Sequence, residues 1–583
     1  MTATSSNKIE MPSDRLYDPI AMEVFSNRLL SITEDMGNRL IRASFSPNIK
    51  ERKDCSVAMF DREGRLISQA AHIPMHLGSL AGGVEAVLRD YGIDRLLPGD
   101  AFLCNDAYLA GGTHAPDITA VTPIFFDGKC RFFAANIGHH SDVGGPTPGS
   151  ISPTARTVFE EGLRIPLVRI TREGVLDDGM MSIIAQNSRE PEDRLADLQV
   201  QLAANVKGAQ LMTELVRQMG LAAVEQSVDD ILAYTSRRIR NRIAALADGQ
   251  GSHVCYLDDD GFGGDPVAIQ ATAIVDGDRL TIDFAGSGPQ CRGSYNMPKS
   301  AMQASVYYAV KAMLDPELMA NEGMFEALTI KLPPGTITSP IFPAAIGMRS
   351  NTAQRVSGAV IGALAHFLPR ENVMAAGNDA MAAMMFSGSS RRRAGTYVYI
   401  ETIGGGGGAR ATRDGADGIH VHITNSSNLP AEALENEYPL LVEEYALVPD
   451  SGGCGEQRGG LGIARQIRAL DDETFCYASS EGSVVPADGV FGGGRGGASR
   501  IIRNHGTDQE LQIPANTPGI MLQAGASVRV ETPGGGGFGL SERRPLQAIA
   551  DDLRAGKFSR ERTLADYGAD TLAAVDALVQ AAA

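Results

Sequence analysis

Asp127-Gly128 is the dipeptide that most restricts how this chain can fold, because it separates two β-rich runs, "ITAVTPIFF" (118–126) and "CRFFAAN" (130–136). Asp-Gly suits a two-residue hairpin turn, so the runs are predicted to pair antiparallel. With 126 facing 129, partner numbers across the ladder sum to about 255, which sets 139 opposite 116 and 138 opposite 117. Opposed Cβ atoms lie about 4.5–5.5 Å apart. The hairpin therefore brings His139 back beside His114 and Asp117, although 25 residues separate the histidines. In an ideal ladder His139 shares a face with 116, while Asp117 points the other way with His140 as its neighbour. Pro116 makes an ideal strand unfavourable there, so Asp117 can turn inward. Spacing alone leaves both His139 and His140 open.

Two histidines and a carboxylate suit Zn²⁺, Mn²⁺ or Fe²⁺, with coordination positions left for water or substrate. The bland alternative is a hairpin whose His and Asp cap strand ends. Asp54, in "ERKDCSVAMFD", opens a predicted strand and is either a fourth ligand or an ion-pair partner of Arg52 or Lys53. His72 and His76 are spaced i, i+4, but Pro74 between them disfavours a helix; a structural role is the simpler reading and a place in the pocket the alternative. No GxSxG elbow supports a serine triad. Cys55, Cys104 and Cys130 lie nearby in sequence, but a cysteine nucleophile needs a base and a lowered pKa.

The wider chain reads as α+β: large, multi-layered and mixed, with a metal-bearing N-terminal half and a β-rich, Gly-rich C-terminal half. The expected divisions are 1–250, 251–540 with inserted helices, and a helical tail at 541–583. Asp18 and Pro19 are suited to start a helix, and Ile32, Met36 and Leu40 mark its buried face until Pro47 stops it. A hairpin is expected at 55–60 and 65–69, two or three helices over 191–247, strands at "VAIQATAIV" and "RLTIDF", and helices at 299–314 and 352–367. Glycine occurs 66 times, with runs at 404–408, 492–494 and 534–537. Gly492, Gly494 and Gly497 match GxGxxG without a strand–turn–helix context, and GxxxxGK[ST] is absent. The glycines are expected to supply positive φ at turns between β elements.

A formal charge of −18, from 52 basic and 70 acidic residues, argues against a nucleic-acid partner. The one dense basic run, Arg391, Arg392 and Arg393, reads as a solvated loop. No run approaches the roughly 18–20 apolar residues that span a bilayer, and the polar N-terminus lacks a secretion signal's apolar core. Seven scattered cysteines with no CxxC fit a reducing compartment. The expectation is a cytoplasmic protein with no membrane contact.

"NDAYLAGGTHAPDITAVTPIF", "GHHSDVGG", "EEGLRIP", "TIDFAGSGPQCRGSYN", "PAAIGMRS", "NLPAEALENEYPL" and "DSGGCGEQRGGLG" together resemble the hydantoinase B/oxoprolinase family, in order, from about residue 19 to 540. The resemblance implies a divalent metal held by Asp54, His114, Asp117 and His139. It makes His140 and Asp142 pocket residues or supports behind the ligands, and His140, Asp142 and Glu161 candidates for proton transfer. It also implies an A-type partner subunit that carries ATP and Mg²⁺, in an α2β2 heterotetramer, which accords with the missing ATP loop. The implied activity is ATP-dependent opening of a cyclic amide such as a hydantoin, 5-oxoproline or a lactam, phosphorylated by the partner. The alternatives are a carboxylase subunit of the acetone or acetophenone type, and a scaffold subunit with a structural metal.

Overall fold

Asp18 caps the first helix as its position predicts: its carboxylate accepts from Ile20 N and Ala21 N, and the helix runs Pro19–Ala43 with Ile32, Met36 and Leu40 buried. Pro47 does more than end that reading, since it opens a short helical turn, Pro47–Lys50. These are features of a computed structural model that describes residues 18–389 and 395–581, so the run at Arg391, Arg392 and Arg393 lies outside the described residues.

The N-terminal half is built on an antiparallel sheet of seven strands, ordered β2-β1-β5-β4-β3-β6-β7. Its members are β1 (Cys55–Asp61), β2 (Leu66–Ala71), β3 (Ala101–Cys104), β4 (Asp117–Phe126), β5 (Lys129–His139), β6 (Val168–Arg172) and β7 (Val175–Leu176). Alternate residues feed two cores, as the period-2 pleat requires. Val57, Met59, Phe132 and Ala134 face a layer that includes the Pro19–Ala43 and Pro191–Met219 helices. Ala58, Phe60, Phe133 and Ala135 join the other core. Burial on both faces is why these strands read as nearly continuous apolar runs.

The β4–β5 hairpin contains a register shift that the ideal ladder lacks. Phe126 faces Lys129 and Phe125 faces Cys130, but Ile124 faces Phe132, so Arg131 is an extra residue in the ladder. From the bulge onward partners sum to 256, and Asp117 faces His139 directly. The bulge corrects the parity expectation that set Asp117 beside His140.

Beyond residue 247 come three further sheets. One orders Leu328–Lys331, Arg279–Asp283, Val267–Asp276 and Gly249–Leu257, and packs against the Arg349–Ala365 helix, which in turn packs on Lys299–Leu314. The other two carry four and five strands. The 191–247 segment forms two helices, Pro191–Met219 and Leu221–Ala244, split at Gly220 with φ 83°. The tail forms Leu546–Arg554, Arg560–Tyr567 and Ala569–Ala581. The largest core draws on both sides of residue 250, from Phe60 and Phe133 to Ile269, Val356 and Tyr477.

The glycine runs have a different cause from the one expected. Within 404–408, 492–494 and 534–537, only Gly492 has positive φ, at 93°. Most of the rest lie where backbone meets backbone, although Gly494 first meets Cys454 Sγ and Gly407 the Ile419 side chain. A Cβ on Gly406 would sit 2.0 Å from Gly460 O, one on Gly459 1.9 Å from Gly535 O, and one on Gly537 1.9 Å from Cys454 O. The segments bond laterally, through Gly453 N to Gly535 O, Gly535 N to Gly460 O, and Gly460 N to Gly407 O at 2.8–2.9 Å. Close approach, not turn geometry, demands these glycines.

Candidate metal centre

The hairpin register places His139 across from Asp117, and the turn before β4 brings in His114. One ligand atom from each of the three lies within 4.8 Å of the others, and all three residues are buried. His114 Nε2 is 3.4 Å from Asp117 Oδ2, and the two imidazole rings are 5.0 Å apart at their centroids.

Hydrogen bonds behind these groups decide which atoms remain free. His114 Nδ1 is 3.2 Å from Gly347 O. A carbonyl only accepts, so Nδ1 carries the proton and Nε2 keeps its lone pair. That Nε2 is buried and has no hydrogen-bond partner among the described residues. Asp117 Oδ2 accepts from Arg349 Nη2 at 2.6 Å and from Thr113 Oγ1, whereas its Oδ1 is likewise buried without a partner. Burial alone would raise the Asp117 carboxyl, but the positive charge of a protonated His114 and, with that ring neutral, the Arg349 guanidinium hold it well below the usual carboxylate range. Burial pushes both histidines down, His139 well below the ordinary value. Two neutral imidazoles beside an ionised carboxylate, with free buried lone pairs on His114 Nε2 and Asp117 Oδ1, fit a divalent cation.

His139 is supported differently. Arg52 Nη1 donates to Asn48 Oδ1 at 3.0 Å, which turns the Asn48 amide nitrogen toward His139 Nδ1, 3.3 Å away.

The cluster opens onto a cavity of about 690 Å³ including its mouth. The N-terminal half contributes Arg52, Asp54, His76, His114 and His139, and the C-terminal half contributes Gly347–Ser350, Thr402, Thr424, Ser426 and Ser479. Arg52 crosses between them, donating to Ile400 O at 3.0 Å and to Thr402 Oγ1 at 3.2 Å.

Asp54 lines this cavity, but its carboxylate is not among the three converging groups. Its Oδ1 lies 3.8 Å from His76 Nε2, its Oδ2 3.9 Å from Arg52, and burial raises its pKa. His76 Nε2 is also 3.8 Å from Asp117 Oδ1, while its Nδ1 meets Ser56 Oγ at 3.1 Å. His76 thus stands in the cavity on a 3₁₀ turn, Pro74–Leu77. His72 is not among the lining residues and lies next to Gly37.

The other three candidates face elsewhere. His140 meets Gln201 Oε1 at 2.9 Å, on the helical side of the sheet. Asp142 accepts from Arg189 Nη1 at 2.7 Å and from Gly144 N and Gly149 N, both at 3.0 Å, holding a loop closed. Glu161 accepts from Ile346 N at 2.7 Å and Gly347 N at 2.6 Å, and burial pushes its pKa up to about 7. It therefore grips Gly347, the residue whose carbonyl orients His114. Cys55, Cys104 and Cys130 are buried, and burial raises all three thiols.

Sequence reasoning missed Arg349, Thr113, Asn48 and Gly347. Arg349 lies 232 residues beyond Asp117, so no local spacing connects them, although it stands within the stretch "PAAIGMRS".

A buried His/Asp cluster with free lone pairs, fronting a cavity between the halves of a mixed α+β chain, defines a protein with a candidate divalent-cation site. This chain belongs to the hydantoinase B/oxoprolinase family, whose model matches residues 18–541. It is 32% identical to 5-oxoprolinase 1 of Arabidopsis thaliana over 566 residues, covering 92% of this chain and 43% of that protein. The chain thus spans about two fifths of the 5-oxoprolinases it matches. It is 30% identical to a Pseudomonas sp. (strain NS671) protein named as the B-type subunit of a D-/L-hydantoinase, over 94% of this chain and 95% of that one. Among solved structures, the ATP-dependent caprolactamase from Pseudomonas jessenii superposes with a TM-score of 0.88 at 27% identity, covering 95% and 96% of the two chains. Acetone carboxylase shares the fold, with a TM-score of 0.86 at 18% identity over 97% of this chain and 83% of that one. No described helix is long and apolar enough to cross a membrane.

Proposed function

We propose that this chain is the metal-bearing B-type subunit of an ATP-dependent cyclic amide hydrolase, acting on a substrate phosphorylated by an A-type partner. The observation that carries the reading is the pair of unpartnered buried atoms, His114 Nε2 and Asp117 Oδ1, in a three-residue cluster on a cavity. The relatives named as 5-oxoprolinase, hydantoinase and caprolactamase support the substrate class. The hydantoinase relative, named as one subunit of its enzyme, and the greater length of the 5-oxoprolinases support a partner.

His114, Asp117 and His139 would hold the cation, with Asp54 within reach of the same cavity. A divalent cation supplies water activated near neutral pH and stabilises negative charge developing on a carbonyl oxygen. The chain's own groups set the stage for that chemistry. Gly347 O fixes the His114 tautomer, and Arg349 and Thr113 direct the Asp117 carboxylate. Ile73, Met75, Ile151, Met381 and Ile423 form an apolar wall that suits ring methylenes. We assign positioning roles to Glu161, His140 and Asp142, since none of them lines the cavity.

The test is metal content together with ATP-dependent ring opening by this chain mixed with its A-type partner. Hydantoin, 5-oxoproline, caprolactam and acetone are compared with and without bicarbonate. Ring opening with phosphate release and no need for bicarbonate supports the proposal. Turnover only of a ketone with bicarbonate overturns it in favour of a carboxylase.

A further inference from the structure

A second group of polar atoms on the cavity wall adjoins the cation ligands, since Arg349 bonds Asp117 and Gly347 O meets His114. The Arg349–Ala365 helix begins on that wall, 17 residues long and with no side chain capping its first turn. Arg349 N and Asn351 N fold back onto Ile346 O and Met348 O, whereas the Ser350 amide makes no such return bond among the described residues. A helix start of this kind attracts anions through its free N–H groups and its dipole. Side chains around it point to the same ligand. Arg349 Nε, Arg52 Nε and Ser479 Oγ are buried without a partner on residues that line the cavity, and those residues are only 4%, 1% and 0% exposed. Thr424 and Ser426 add hydroxyls to the wall, and Gln354, one turn into the helix, donates to Thr424 Oγ1 at 2.7 Å.

Charge gives the same answer. Arg52 and Arg349 on the cavity wall stand against Asp54 and the adjoining Asp117, so the protein's formal charges cancel there. A divalent cation would leave a buried surplus of two positive charges, which is costly without a counter-anion. A dianion closes that balance.

We propose that Ser350, Arg349, Thr424 and Ser479, at the head of this helix, form a subsite for a phosphoryl dianion. The phosphoryl group is either that of the incoming phosphorylated amide or the inorganic phosphate released from it. The assignment rests on the proposed function, and it adds the residues that recognise phosphate and a coupling between anion and cation binding. Because linkage is reciprocal, phosphate tightens the cation by the same factor as the cation tightens phosphate.

The experiment first measures Mn²⁺ stoichiometry of the full chain, then titrates inorganic phosphate by calorimetry with and without Mn²⁺. ³¹P line broadening by the bound Mn²⁺ reports proximity. Saturable phosphate binding is expected, weakened about tenfold or more in Ser350→Ala and in Ser479→Ala, each of which removes a hydroxyl donor to a charged ligand while the Ser350 amide stays in place. Ser350→Ala also takes away the hydroxyl that accepts from Arg349 Nη1, so matched thermal melting checks the fold of both variants, whereas Arg349→Ala removes the ion pair to Asp117 outright. An N-phosphoryl amide that binds more tightly than inorganic phosphate assigns the subsite to substrate. The reverse order assigns it to product. A chain that holds Mn²⁺ but shows no saturable phosphate binding, or whose binding is unchanged in both serine variants, overturns the subsite and leaves the metal reading standing. Failure to bind Mn²⁺ in the first step counts against the underlying reading instead, and phosphate binding without metal then still judges the subsite.

Discussion

His114 and Asp117 each commit one polar atom to the protein and keep the other for the cavity: Nδ1 to Gly347 O, Oδ2 to Arg349 and Thr113. His139 is set up less completely. Its Nδ1 faces the Asn48 amide nitrogen, so in the neutral ring Nε2 carries the proton. A cation at Nε2 requires the opposite, a protonated Nδ1 beside an acceptor. Asn48→Asp supplies an acceptor for both His139 and Arg52, and we expect it to raise metal affinity about tenfold by competition against a chelator. His139→Ala should abolish metal binding. His140→Ala should leave stoichiometry unchanged and cost about 1–3 kcal/mol of stability through its lost bond to buried Gln201. Metal analysis and melting of the two variants separate these outcomes, and full metal occupancy in His139→Ala would remove it from the ligand set. The sequence brought His114, Asp117 and His139 together because a tight turn converts spacing into adjacency. It could not single out His139 over His140, because that choice turns on one extra residue at Arg131.

At the scale of elements, periodicity found what local patterns control. The Pro19–Ala43 and Lys299–Leu314 helices and the β4–β5 hairpin stand where apolar spacing and capping residues put them. Glycine was misread because a sequence shows a missing side chain without showing what occupies its space. Gly535 makes the point: a Cβ there would lie 2.1 Å from Gly407 O, and both atoms are fixed by neighbouring backbone. Gly535→Ala should therefore destabilise by about 3 kcal/mol, at the upper end for overpacking. Gly179, inside the Asp178–Gln186 helix, has only the Asp177 side chain nearby at 3.4 Å. Gly179→Ala should stabilise by about 0.5–1 kcal/mol through helix propensity. Urea midpoints of the two variants compare them directly, and equal effects would refute the close-approach account.

For the whole molecule, buried acids set a dependence on pH. Burial, reinforced by Asp258, pushes Glu481 up to about 8, and burial pushes Glu190 and Glu161 up to about 7. In the unfolded chain such groups ionise near pH 4.3, so above that value the folded state binds more protons. Their stabilising contribution is fully present below about pH 4.3, falls progressively above it, and is completely lost once pH has risen past 7 and 8. Between pH 7 and 9 the loss should be about 2 kcal/mol, most of it from Glu481. Glu481→Gln should flatten that slope in urea unfolding, and an unchanged slope would remove Glu481 as its source. On the acid side His420, lowered to about 4 by burial, works in the other sense: its contribution is lost as pH falls from about 6.5 toward 4. Arg52, which reaches Ile400 O from one half to the other, bears on how the protein is made. A growing chain presents His114, Asp117 and His139 more than 200 residues before Arg349 and the Gly347 carbonyl exist to orient them. On the proposed function, metal capture would wait until translation is well past residue 349, and a stray cation met earlier would find only a loose, exchangeable perch.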